Sequence, residues 1–111
     1  MTTVREFFEE RLPQAVARQP QRARELAGIF VITVSGDGGG SWTIDGKNDP
    51  PGVRAGVSAG ADCTLALAAD DFLALLKEPH LGMQLFFQGR LTVEGNPLLA
   101  TRLQDLLALA G

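Results

Sequence analysis

The sequence predicts an α+β domain, a two-layer sandwich of one five-stranded, largely antiparallel sheet with about five helices on one face. Three observations lead there. The 111 residues suffice for one domain and leave no room for a second core. Five segments carry strand patterns, and four of them alternate apolar with polar residues, which gives the sheet one solvated face and favours antiparallel pairing. About five further segments carry helical periodicity, and these must all lie on the other face.

Composition narrows the function classes. Hydrophobic residues make up 45% and charged residues 21% of the chain, the balance of a soluble globular protein. The net charge of −3 and a pI of about 5.0 argue against a nucleic-acid partner, which needs a basic surplus. The single cysteine excludes an internal disulfide. No run of ~18 apolar residues is present to span a bilayer. The charged N-terminus MTTVREFFEERL has no signal-peptide core. A cytoplasmic location is expected, with no cofactor and no metal.

Taken in order, Thr3 and Glu6 have capping-box spacing and open a first helix. Its apolar face is Val4, Phe7, Phe8, Leu12 and Val16. Pro13 is expected to kink or end it, so the segment reaching Arg18 is bent. A short helix over 20–27 stops at Gly28. Ile29–Ser35 is the clearest strand, with Phe30, Ile32 and Val34 facing a core and Val31, Thr33 and Ser35 facing out. A glycine-rich turn over 36–41 leads to a strand in which Trp42 and Ile44 alternate with polar partners. After a loop over 46–51 comes a weaker strand over 52–58, interrupted by glycine. Cys63, Leu65 and Leu67 alternate with Thr64 and Ala66 in a fourth strand. Asp70 or Asp71 caps the next helix, whose Phe72, Leu75 and Leu76 recur at i, i+3 and i+4 and whose extent Pro79 limits. Residues 81–87 form a second, aromatic-rich turn or two, closed by Gly89 as a left-handed cap. Leu91 and Val93 mark the fifth strand. Asn96 as N-cap and Pro97 at the first helical position open a final helix. Its leucines spread over roughly 200° of the wheel, against the ~100° stripe that core packing needs.

The segments ADCTLALAADDFLALL and FFQGRLTVEGNPLLATRLQDL resemble the sterol carrier protein-2 family of small lipid-binding domains, and FVITVSGDGGGSWTID is similar to that family's first hairpin. The resemblance covers essentially the whole chain. It implies the same architecture, with an apolar tunnel enclosed between sheet and helices. By resemblance, Phe30, Ile32 and Trp42 line the sheet side of the tunnel. Phe8, Phe72, Leu75, Leu76, Met83, Phe86 and Phe87 belong to the helical side, and Leu99, Leu103, Leu106 and Leu107 close one end. Gln88, Thr101 and Gln104 are candidate polar contacts for a headgroup, although Gln88 serves equally well as a backbone partner at the Gly89 turn. The chain departs from the better-known sterol carriers in lacking a peroxisomal S-K-L ending. It also departs in Pro79-His80-Leu81-Gly82 before the aromatic pair and in Asn48-Asp49-Pro50-Pro51 in the middle loop. These departures leave the lipid's identity open.

No constellation of residues supports an enzyme. The glycine run over 36–40 lacks the Gly-Lys-Ser/Thr ending of a phosphate loop and leads into a strand. Asp70 and Asp71, adjacent on a helix, point apart and suit a first turn better than an acid/base pair. His80 has no serine or acid at a telling offset. Cys63, on an inward strand face, reads as a small core residue rather than a thiolate. Arg11, Arg18, Arg22 and Arg24 form either a solvated helix face or a weak docking surface for anionic headgroups, diluted by Glu9, Glu10 and Glu25.

What remains is a surplus of oily side chains: Phe7, Phe8, Phe72, Met83, Leu85, Phe86, Phe87 and the C-terminal leucines. A domain of this size buries about two-thirds of its unfolded surface. The surplus therefore requires an exposed patch, a dimer interface or a cavity filled by an apolar ligand. The resemblance favours the cavity. The expected function is a non-enzymatic carrier of a fatty acyl chain, acyl-CoA or sterol-like molecule, monomeric or homodimeric, with transient membrane-surface contact. The alternative is an interaction module that buries the same face on a second copy or an enzyme partner, its cavity closed or vestigial.

Overall fold

A single proline shapes the first layer. In the computed structural model, which describes residues 3–25, 28–47, 52–58, 60–78, 80–95 and 102, the N-terminal helix passes through Pro13 without breaking. Thr3 caps it as expected, its Oγ1 accepting from the Glu6 backbone N–H at 3.1 Å. α1 (Val4–Glu6) runs into a π-helical turn (Phe7–Arg11) and then α2 (Leu12–Arg18). Pro13 has no N–H, and its ring crowds the carbonyl four residues earlier. The widened turn, closed by the Leu12 N–H on the Phe7 carbonyl, accommodates the ring without ending the helix. The buried side is Val4, Phe7, Phe8, Leu12, Ala15 and Val16. α3 (Pro20–Arg24) follows.

β1 (Ile29–Ser35) and β2 (Gly40–Asp45) form the expected hairpin, and β3 (Gly52–Ala55) pairs with β2. β3 is shorter than its sequence suggests. Gly56 turns the chain at a φ of +100°, and its N–H donates to the Ser41 carbonyl at 2.8 Å. With β4 (Cys63–Ala68) and β5 (Leu91–Gly95) the sheet order is β3-β2-β1-β4-β5. All pairs are antiparallel except β1 with β4, so the sheet is mixed but largely antiparallel.

That order forces the connection from β3 to β4 to cross two strands. It crosses on the face away from the helices, where Thr43 Oγ1 donates to the Gly56 carbonyl at 2.8 Å. Val31 shares this face with Thr43, its register partner, and is only 1% exposed. This corrects the outward, solvated placement of Val31: alternation assigns the face correctly, but at Val31 and Thr43 that face is buried.

α4 (Ala69–Lys77) and α5 (Leu81–Phe87) complete the described helices on the other face. The predicted aspartate cap of α4 is not formed. Ala68 is the N-cap residue, without a side-chain bond, and Asp70 is exposed. Asp71 is instead buried, and both its oxygens are held by the Arg90 guanidinium, Oδ2 by Nε at 3.2 Å and Oδ1 by Nη2. The core lies between the layers. Phe7, Phe8, Leu12, Phe30, Ile32, Ile44 and Phe72 are its largest fully buried side chains.

Candidate functional site: the aromatic layer and the outer face of α5

β1 and β2 deliver Phe30, Ile32 and Trp42 to the helix side of the sheet, because each lies in register there: Phe30 opposite Ile44, Ile32 opposite Trp42. The π turn and α4 bring Phe8, Phe72 and Leu75 down onto them, and all six are buried. Leu76 is half-buried against the same cluster. So seven of the predicted lining residues are brought together.

Their geometry is specific. The Phe8 ring stacks on Trp42, with centroids 4.5 Å apart and planes 9° apart, and on Phe72 at 5.1 Å and 27°. Phe7 meets Phe8 and Phe72 edge-on at 5.3 and 5.5 Å. These are the offset and T-shaped arrangements that aromatic quadrupoles prefer. Gly40 makes room for the indole, since a Cβ there would stand 3.0 Å from Trp42 Cη2. Phe7 completes the ring cluster but was not among the predicted ligand contacts. Its place on the helix's apolar face was legible; its contact with Phe72, from a distant element, was not.

α5 behaves differently. Leu85 is buried and Leu81 half-buried, while Met83, Phe86 and Phe87 are 69%, 48% and 78% exposed. This corrects their placement on the inner side of an enclosed tunnel. Both ridges of this helix are apolar, 81 with 85 and 83 with 86 and 87, and only one can face the core. Phe86 and Phe87 touch each other edge-on at 6.0 Å on the outer ridge.

Gly89, at a φ of +75°, closes α5 with paired bonds. The Arg90 N–H donates to the Leu85 carbonyl at 2.9 Å, and the Gly89 N–H to the Phe86 carbonyl at 3.1 Å. The Gln88 side chain is exposed and accepts from Arg90 Nη1 at 3.4 Å, a contact to a neighbouring side chain rather than to the turn's backbone. Leu99, Thr101, Leu103, Gln104, Leu106 and Leu107 lie outside the described residues.

The reactive side chains stand apart from this layer's chemistry. Cys63 is buried, and burial together with the neighbouring Asp62 charge pushes its thiol pKa up, away from thiolate. The Asp62 carboxylate is held below its ordinary pKa, first by the Ile29 N–H at 2.8 Å and then by Lys47 Nζ at 3.1 Å. His80 is exposed, with Glu78 3.9 Å away. Among the described residues no group of three or more His, Cys, Asp or Glu could hold a metal ion. None of the described helices is long and apolar enough to cross a membrane.

A mixed five-stranded sheet under an aromatic interlayer, with an oily helix surface at its side, defines a class of small apolar-cored α+β domains. The model of the SCP-2 sterol transfer family matches residues 8–108, and the chain belongs to that family. It is 38% identical over 89 residues to sterol carrier protein 2 of Homo sapiens, an alignment covering 78% of this chain. The chain spans only 16% of the length of that curated relative. The apo form of sterol carrier protein 2 from Yarrowia lipolytica superposes with a TM-score of 0.72 at 26% identity, covering 96% of this chain and 84% of that one. Palmitated SCP2L2 from Aedes aegypti superposes with a TM-score of 0.72 at 24% identity, covering 96% and 95% of the two chains.

Proposed function

We propose that the chain binds one long-chain lipid in the apolar layer between sheet and helices and carries it through the cytoplasm without changing it. Within the family fold, one observation carries this reading: α5 leaves a methionine and two phenylalanines open to water beside a layer already built of aromatic rings. A contiguous apolar surface of this kind marks a ligand or interaction site. The guest is a fatty acid, an acyl-CoA or a flat sterol-like molecule. Its binding is driven by apolar area removed from water, at about 25 cal/mol per Å² before the losses of ordering. Leu99, Leu103, Leu106 and Leu107 close one end of the site, and Gln88, Thr101 and Gln104 meet the headgroup.

Native mass spectrometry of freshly expressed protein tests this directly, with a co-purified lipid as the expected result. After delipidation, palmitate, palmitoyl-CoA and cholesterol are titrated in turn, and at least one binds. Protein that retains no lipid and binds none of the three refutes the reading. Leu103→Arg is expected to abolish uptake while the circular dichroism of the sheet is kept.

The exposed ridge of α5 also favours a second reading, in which Met83, Phe86 and Phe87 bury on another copy of the chain. A lipid-free dimer whose dissociation follows Phe87→Ser would establish it.

A further inference from the structure

We propose that Phe8 is a built-in plug: in the unliganded chain its ring occupies the place that the apolar body of a lipid takes between Trp42 and Phe72, and the guest enters by exchanging with it. This rests on the carrier reading above and adds where in the layer the guest lies. Phe8 is 1% exposed and stacks on one ring from the sheet and one from α4, so it bridges the two layers at the level where a guest must pass. Its replacement must keep both stacked contacts. A methylene chain or a fused-ring plane does so, with carbons about 3.5–4.0 Å from each wall; a globular guest does not.

Of the three stacked rings, Phe8 is the one free to leave. Trp42 belongs to β2, which is hydrogen-bonded on both sides, to β1 and to β3. Phe72 belongs to α4, which Arg90 clasps through the adjacent Asp71. Phe8 lies in the π turn, outside the regular α-helical hydrogen-bond ladder. A π turn holds one residue more than an α turn. Returning that turn to α geometry would bring back the crowding by the Pro13 ring, so the Phe8 ring leaves by turning about its own side-chain bonds while the π turn stays in place. The movement is thus confined to the Phe8 side chain, and α2 stays seated on the sheet.

The chain's one tryptophan and absence of tyrosine make Trp42 emission a direct reporter of the stack. In delipidated wild-type protein, palmitate binding followed by calorimetry is expected to change Trp42 emission with the same saturation curve. Emission that stays constant while palmitate binds overturns the plug. Phe8→Ala vacates the place in advance and is expected to tighten palmitate binding by about tenfold, since the closed form no longer competes. A phenylalanine that only lines the site gives the opposite sign, and weaker or unchanged binding by a folded Phe8→Ala overturns the proposal. Phe8→Leu, which preserves most of the volume, repeats the test if the alanine variant does not fold, with tighter binding again expected. Binding of palmitate by none of the three proteins overturns the carrier reading, and the plug falls with it.

Discussion

Asp62 joins three parts of the chain through one carboxylate: it accepts from the Ile29 N–H at the start of β1 and pairs with Lys47 after β2, just ahead of β4. Because its folded pKa lies below the ordinary 3.8, folding favours the ionised form. Its contribution is complete above the unfolded-state pKa and is lost as pH falls through the lower folded value. Wild-type urea midpoints should therefore drop on acidification below about pH 4, and Asp62→Asn, already less stable at neutral pH, should drop less steeply. Cys63, next in the chain, should react with Ellman's reagent only as fast as the protein opens, because its thiol is buried and pushed away from thiolate. Arg90 presents a different balance. It is 56% exposed while Asp71 is 9% exposed, so removing the arginine strands a buried carboxylate. Arg90→Ala is expected to destabilise the fold by about 1–2 kcal/mol in urea unfolding, between the values for surface and fully buried pairs.

At the scale of elements, local signals were readable and distant ones were not. The Thr3 cap, the Gly89 stop and the alternation of β4 all depend on residues within one turn or one strand, and they stand as the sequence predicts. Asp71 looked like a cap because its true partner, Arg90, is nineteen residues away in the turn after α5. Pro13 announced a disturbance, but whether a helix breaks or widens depends on what its apolar face packs against. α5 is the clearest case. Its two ridges are equally oily, so periodicity could not say which faces in, and Met83, Phe86 and Phe87 were assigned to the wrong side. Gly89 offers a test at this scale. Holding a φ of +75° with a β-carbon costs about 1–2 kcal/mol, so Gly89→Ala should lower stability by that amount and Gly89→Asn by less, both measured by chemical denaturation.

For the whole molecule, binding and stability are one measurement. A lipid at a hundred times its dissociation constant should stabilise the fold by ~2.7 kcal/mol and raise Tm by about 10 °C. A melting temperature indifferent to palmitate, palmitoyl-CoA and cholesterol would contradict the proposed function. The fold class was legible because patterning needs no knowledge of pairing. The parallel β1–β4 contact and the burial of Val31 and Thr43 on the outer face were not, because both depend on contacts between distant parts of the chain. That order also governs biogenesis. The hairpin of β1 and β2 is complete as soon as Asp45 has been made, but the other edge of β1 waits for Cys63–Ala68. Until then a nascent chain leaving the ribosome displays an unpaired FVITV ladder, the kind of edge on which chains aggregate. Chaperone demand and insoluble by-products should therefore concentrate in released polypeptides truncated before residue 63, and ease once β4 is included.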